Sequence, residues 1–217
     1  MRGTALVPVL LVGLIAGCGG DASEETPAPA ETTSSGCREA VPPAAEERGA
    51  ERPTRPLPGG VTYVLTFRTS CGTFAVTLHQ ATAPATAASL VSLARAGYFD
   101  GTVFHRIVPG YVIQGGDPTQ SGAGGPGYST RDVPPADTRY TKGVVAMAKA
   151  AAEPPGTAGS QFFVVTSEDA GLAPEYAVVG SVTSGLDVVD TIGRLGDPVT
   201  EEPTQPVVVE RVTVAER

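Results

Sequence analysis

From Val61 onward, glycine and proline cut the chain into short β-rich runs, and only two stretches carry a helical pattern. VTYVLTFR and TFAVTLH are separated by Thr69-Ser70-Cys71-Gly72, which reads as a hairpin. VFHRIV, YVIQG, GVVAMA, SQFFVVT and YAVVGSV follow as further strand candidates, and PVVVERVTV reads as a last one. The helical stretches are ATAPATAASLVSLARAGYF and LDVVDTIGRL. In the first, Pro84 suits an opening turn, Leu90, Leu93 and Ala94 form an apolar stripe, and Gly97 suits the stop. About eight strands with two helices and no regular βαβ alternation predict a mainly β fold. The expectation is a closed eight-stranded antiparallel β-barrel capped by two α-helices, rather than a doubly wound sheet. No internal repeat is present.

The chain before Val61 has a different character. Met1 and Arg2 precede an apolar run, ALVPVLLVGLIAG, that stops at Cys18. About a dozen residues cannot span a hydrocarbon core of ~30 Å, and the charged start with small residues near the end reads as a secretory signal over 1–17. LIAGC at 14–18 resembles the lipobox of bacterial lipoproteins, in which the cysteine is lipidated and becomes the mature N-terminus. That resemblance implies a cell-membrane location, lipid-anchored on the extracytoplasmic side. Residues 18–60 are rich in Ala, Pro, Glu and Thr and read as a flexible linker, because too little apolar surface is available to offset ordering entropy. Residues 61–217 are the folded domain. In an oxidising compartment Cys37 and Cys71 are free to pair; the alternative is a free thiol in the tail and a partly buried cysteine beside a turn.

Composition excludes some functions. A formal net charge of −8 opposes a nucleic-acid surface, and the absence of Trp with only 6% aromatics opposes a base-stacking platform. Gly122 to Gly127 formally contain GxGxxG, but YSTRDVPP after them is not helical, so the pyrophosphate-binding helix N-terminus is missing. The two histidines, His79 and His105, lie far apart and no Cys-x-x-Cys occurs, so ligand spacing gives no metal site. Ser160 and His105 suggest a hydrolase, but no G-x-S-x-G elbow accompanies them.

What remains is FHRIVPGYVIQGGD at 104–117, where Arg106 and Gln114 interrupt apolar runs. A polar group in a core needs a partner, and a charge needs one more urgently. With Tyr111, Val112 and Phe163, these residues give one fixed cation, one amide and an apolar wall, the makings of a small-ligand or peptide pocket. By strand alternation Val112 and Gln114 share one face, and Arg106 and His105 point to opposite faces.

These residues, with GAGG at 122–125, VAMA at 145–148, GSQFFV at 159–164 and VVGSV at 178–182, resemble the cyclophilin-type peptidyl-prolyl isomerases. The resemblance runs from about Val61 to the C-terminus. It implies an eight-stranded barrel with two capping helices, isomerisation of prolyl bonds in exported polypeptides, no cofactor or metal, and a monomer. It puts the catalytic arginine at Arg106 and the proline pocket at Tyr111, Val112, Phe163 and Leu172. Gln114 and the backbone around Ala148 align the substrate, and Tyr176 stands where histidine is common. Gly171 replaces a tryptophan that helps bind cyclosporin in many members, so weak cyclosporin affinity is expected, as an inhibition titration would show. Against the family pattern, Lys149 replaces a common asparagine, and AAAEPPGTA is about three residues longer than usual. The rival reading is a chaperone or scaffold module that holds proline segments with little turnover. An exported solute-binding lipoprotein fits less well, since no two-lobed α/β pattern occurs.

Overall fold

The computed structural model describes residues 36–217. Strand β1 (Tyr63–Thr69) and β2 (Gly72–Leu78) form the expected hairpin, pairing from Val64↔Thr77 to Thr69↔Gly72. Gly72 sits at φ +123, a conformation that a side chain rarely adopts. Helix α1 (Pro84–Arg95) starts on its proline and buries Leu90, Val91, Leu93 and Ala94. Then come β3 (Arg106–Val108), β4 (Val112–Gly115), β5 (Thr130–Arg131), β6 (Val144–Met147), β7 (Thr157–Ala158), β8 (Phe162–Val165) and β9 (Val178–Ser184). Helix α2 (Leu186–Gly193) and β10 (Val209–Glu216) close the order.

Eight strands form one antiparallel sheet in the order β10-β1-β2-β9-β6-β8-β4-β3, and β5 pairs with β7 apart from it. The ladder is not closed: β3 and β10 are its two ends. The seam is stitched by the segment just before β3, where Gly101 N–H donates to Val209 O at 2.7 Å and Phe104 N–H to Val207 O at 3.0 Å. A closed barrel therefore overstates the geometry, which is a strongly curled sheet with a narrow seam. Its inner face holds Phe67, Phe74, Phe99, Phe104 and Phe162 with both helices packed across the ends. Phe67 stacks on Phe74 at 4.9 Å, and Phe162 meets Phe104 edge-on at 6.0 Å.

Residues 36–60 depart from the flexible linker expected over 18–60. Cys37 is disulfide-bonded to Cys71, and Arg38 N–H donates to Ser70 O at 3.0 Å. Arg48 donates from Nη1 to the carbonyls of Tyr98 and Asp100, both at 2.7 Å. Glu46 N–H reaches Pro118 O, Ala50 N–H reaches Pro126 O, and Ala50 and Leu57 pack on the core. Composition misses such a strap because a covalent bond, one arginine and scattered backbone bonds hold it, not an apolar face. The signal segment 1–17, Cys18 and the linker up to residue 35 lie outside the described residues. Among the described residues no helix is long and apolar enough to cross a membrane.

Candidate active site

Alternation gives the curled sheet two chemically different faces. Ile107, Ile113, Phe162, Val164, Val145 and Met147 turn inward to the aromatic core. Their neighbours turn outward, and register lines them up: Arg106 opposes Gln114, Gln114 opposes Phe163, and Phe163 opposes Ala146. One row thus crosses β3, β4, β8 and β6 with a cation at one end and an apolar floor at the other.

The floor is a second apolar cluster, separate from the core. Val112, Tyr140, Ala146, Phe163 and Val165 are buried in it, and Tyr111, Ala148, Leu172 and Tyr176 pack against them. Every apolar or aromatic residue assigned to the pocket from sequence, Tyr111, Val112, Ala148, Phe163, Leu172 and Tyr176, is therefore in one place. Tyr111 joins against strand parity because it sits in the turn before β4, where alternation does not apply. Phe163 and Tyr176 meet edge-on at 5.5 Å. Burial, with the neighbouring Tyr176, pushes the Tyr111 hydroxyl pKa up, so it stays protonated. Gly171 has φ +62 and is exposed, so no ring stands at that rim.

The polar end is a chain of side-chain hydrogen bonds. Arg106 Nε donates to Glu201 Oε2 at 2.6 Å, and Nη1 turns to Gln114 Oε1 at 3.4 Å. Gln114 Nε2 donates to Gln161 Oε1 at 3.0 Å, and Gln161 Nε2 donates to Gly124 O at 2.9 Å. The glycine-rich loop at the end of this chain folds round Asp117. The carboxylate, wholly buried, accepts from the backbone of Thr119, Gly122 and Gly124 and from the Thr119 hydroxyl. Burial alone would raise its pKa, but these bonds outweigh burial and hold it below the usual value. No helix follows the loop, only β5, as its rejection as a nucleotide site requires.

Beside the groove lies a cavity of about 740 Å³ that meets it at Gln114 and Ala148 without reaching Arg106 or Phe163. Its walls are the glycine loop, Gln161, Lys149 and, from the strap, Glu47. The Lys149 side chain is only 2% exposed and pairs with Glu175 Oε2 at 3.1 Å. Its ammonium also stands 5.5 Å from the centre of the Tyr176 ring.

His105 lies elsewhere. Both its ring nitrogens are buried with no hydrogen-bond partner among the described residues, and a Cβ on Gly122 would lie 3.7 Å from Nε2. Burial lowers its pKa, with Asp117 opposing and Arg106 assisting. Ser160 Oγ donates to Gly116 O at 2.7 Å inside the fold. No group of three or more metal-ligating side chains occurs among the described residues.

Sequence reasoning missed Tyr140, Gln161 and Glu201. The Tyr140 hydroxyl donates to Tyr176 O at 2.8 Å and accepts from Tyr176 N–H at 3.0 Å, fixing that ring on the pocket. Gln161 was legible by parity, since it is two residues before Phe163. Tyr140 and Glu201 lie in aperiodic loops that carry no such signal.

A curled antiparallel sheet with a cation–amide–aromatic row on its outer face defines a peptide-groove protein of the proline-isomerase class. The family profile "Cyclophilin type peptidyl-prolyl cis-trans isomerase/CLD" matches residues 64–214. Similar proteins include "Probable peptidyl-prolyl cis-trans isomerase A" of Mycobacterium leprae, 36% identical over 69% of this chain and 91% of its own. Another is a peptidyl-prolyl cis-trans isomerase of Schizosaccharomyces pombe, 36% identical over 65% of this chain and 92% of its own. Among solved structures, a Cryptosporidium parvum cyclophilin type isomerase superposes with a TM-score of 0.66 at 27% identity, covering 72% of this chain and 99% of its own. That protein has also been crystallised in the presence of the dipeptide Ala-Pro. The chain belongs to the cyclophilin family and is a peptidyl-prolyl cis-trans isomerase.

Proposed function

We propose that this cyclophilin isomerises prolyl bonds in exported polypeptides, from a lipid anchor at Cys18 on the extracytoplasmic side of the membrane, with Arg106 as the catalytic cation. The row Arg106–Gln114–Phe163–Ala146 carries the chemical part of this reading. Rotation about Xaa-Pro faces about 18–20 kcal/mol, because amide resonance must be lost. Without help it takes tens to hundreds of seconds. A proline ring seated on Phe163 and Val112, between Tyr111 and Leu172, is held still while the preceding residue turns. The guanidinium donates toward the prolyl carbonyl and nitrogen, and the nitrogen accepts well only when its lone pair has left conjugation. That preference for the twisted amide is differential binding of the transition state. Each 1.36 kcal/mol of it is a factor of ten in rate. No covalent intermediate is formed.

Export is supported by the charged start, the apolar run and LIAGC, and by a buried disulfide suited to an oxidising compartment. The protein acts as a monomer in this reading. The decisive experiment is a protease-coupled assay on an Ala-Pro peptide with Arg106→Ala. Loss of one aimed donor lowers kcat/KM about 100-fold, with the circular dichroism spectrum unchanged. Full activity in that variant would refute the role of Arg106.

A further inference from the structure

The loop between α2 and β10 grips the strand that carries the arginine. Asp197 Oδ1 accepts from Val199 N–H at 2.8 Å and Thr200 N–H at 2.9 Å, and Glu201 N–H donates to Asp197 O at 2.9 Å. The loop is pinned shut below by Thr204 N–H donating to Leu195 O at 2.7 Å and by a bridge between Gly196 and Pro203. It docks closely: a Cβ on Gly196 would stand 2.2 Å from Ile107 O. At its end Glu201 makes two bonds to neighbouring residues of β3. Its carbonyl accepts from Ile107 N–H at 2.8 Å, and its carboxylate accepts from Arg106 Nε at 2.6 Å.

Glu201 does this from φ 60; among the described residues only Gln120 shares that left-handed conformation without being glycine. Such a backbone costs free energy and persists only where its surroundings impose it. The ion pair returns little stability, because the two side chains are 38% and 42% exposed. A strained residue making a weakly stabilising contact to the cation of the site row is placed for that cation's geometry. With Nε held by Glu201 and Nη1 turned to Gln114, the plane of the guanidinium is set and Nη2 is left for a substrate carbonyl. An arginine without that grip samples several rotamers, and small misplacements of an aimed donor are costly in rate.

We propose that Glu201 is a positioning residue for prolyl isomerisation, acting through Arg106. The inference rests on the assignment of Arg106 and adds the part that fixes its orientation. An opposing effect exists, since a carboxylate also weakens the field of the guanidinium at the substrate. If that effect dominated, removing Glu201 would raise kcat, so the sign of the change is informative.

The test measures kcat and KM separately on an Ala-Pro peptide, using the full chain with Glu201→Asn, Glu201→Gln, Arg106→Ala and the Arg106→Ala/Glu201→Asn pair. Asparagine tolerates the left-handed backbone but is one methylene too short to keep the contact. Glutamine keeps an acceptor in place without the charge. Glu201→Asn should lower kcat about tenfold, or 1.36 kcal/mol, with KM within about twofold. Glu201→Gln should recover most of that loss, and adding Glu201→Asn to Arg106→Ala should change nothing further. An unchanged or raised kcat in Glu201→Asn, a loss confined to KM, or an additive double variant overturns the proposal. If Glu201→Asn does not fold, Glu201→Gly decides, since glycine adopts the left-handed backbone freely and removes the carboxylate: a lowered kcat with KM within about twofold supports the proposal, and an unchanged or raised kcat overturns it. Full activity in Arg106→Ala would instead sink the arginine assignment itself.

Discussion

Removing the bond between Cys37 and Cys71 tests whether the strap belongs to the folded unit. The two residues are separated by 34 in sequence, and their Cα atoms are 4.0 Å apart. A link across a loop of that length restricts the denatured chain by about 4 kcal/mol at 25 °C. Both residues are buried, so Cys37→Ala/Cys71→Ala is the cleaner perturbation; serine would add buried hydroxyls that need partners. For a domain of this size, about 4 kcal/mol lowers Tm by about 8–16 °C. With a urea m-value of about 2 kcal/mol/M, the midpoint falls by about 2 M.

The chain has no Trp, so unfolding is followed by far-ultraviolet circular dichroism or tyrosine emission. The loss should appear equally in wild type kept in reductant, and a single transition should remain. Limited trypsin digestion adds a local readout. Arg52 and Arg55 are each followed by proline, which blocks cleavage, whereas Arg48 is followed by Gly49. Arg48 is held by the carbonyls of Tyr98 and Asp100, so cutting after it requires the strap to lift. Cleavage there should accelerate at least several-fold in the double variant. Equal midpoints with and without the bond, together with unchanged cleavage after Arg48, would refute the reasoning and return 36–60 to the status of a passive linker.

Two further outcomes are expected. The lowered pKa of His105 means the folded protein disfavours imidazolium; its contribution to stability is complete above the unfolded value of about 6.5 and is lost as pH falls through the lower folded value. Urea midpoints from pH 8 to 5 should therefore decline in wild type and decline less in His105→Gln; parallel curves would contradict this. Asp117, also depressed, acts only below that window, since its usual value is 3.8. The proposed lipid anchor predicts that Cys18→Ala moves the protein from the membrane to the soluble fraction, and unchanged membrane association would remove the lipidation reading.

The groove was legible wherever side chains alternate on strands. Val112 with Gln114 and Phe163 with Val165 announce an outer face by period two, and Arg106 and Gln114 stand out because polar groups there need partners. Family resemblance then supplied Leu172 and Tyr176, which sit in irregular chain with no period to read. Tyr140, Glu201 and the strap stayed hidden for a physical reason. Each acts through a few directed contacts from an aperiodic segment, and such contacts depend on tertiary placement, not on local pattern.

Register adds what alternation cannot. The four residues of the site row lie on β3, β4, β8 and β6, which are successive neighbours in the sheet, although only β3 and β4 follow one another in the chain. Alternation says that Arg106, Gln114, Phe163 and Ala146 face outward, yet only strand pairing sets them side by side. The core enforces that pairing. A slip of one residue in β3 would turn Ile107, now fully buried, out to solvent and drive the Arg106 guanidinium among phenylalanines. The same inward residues that stabilise the curled sheet therefore hold the outer row in register. Substitutions on the two faces should consequently separate: inward changes lower stability and activity together, and outward ones lower activity at nearly constant stability.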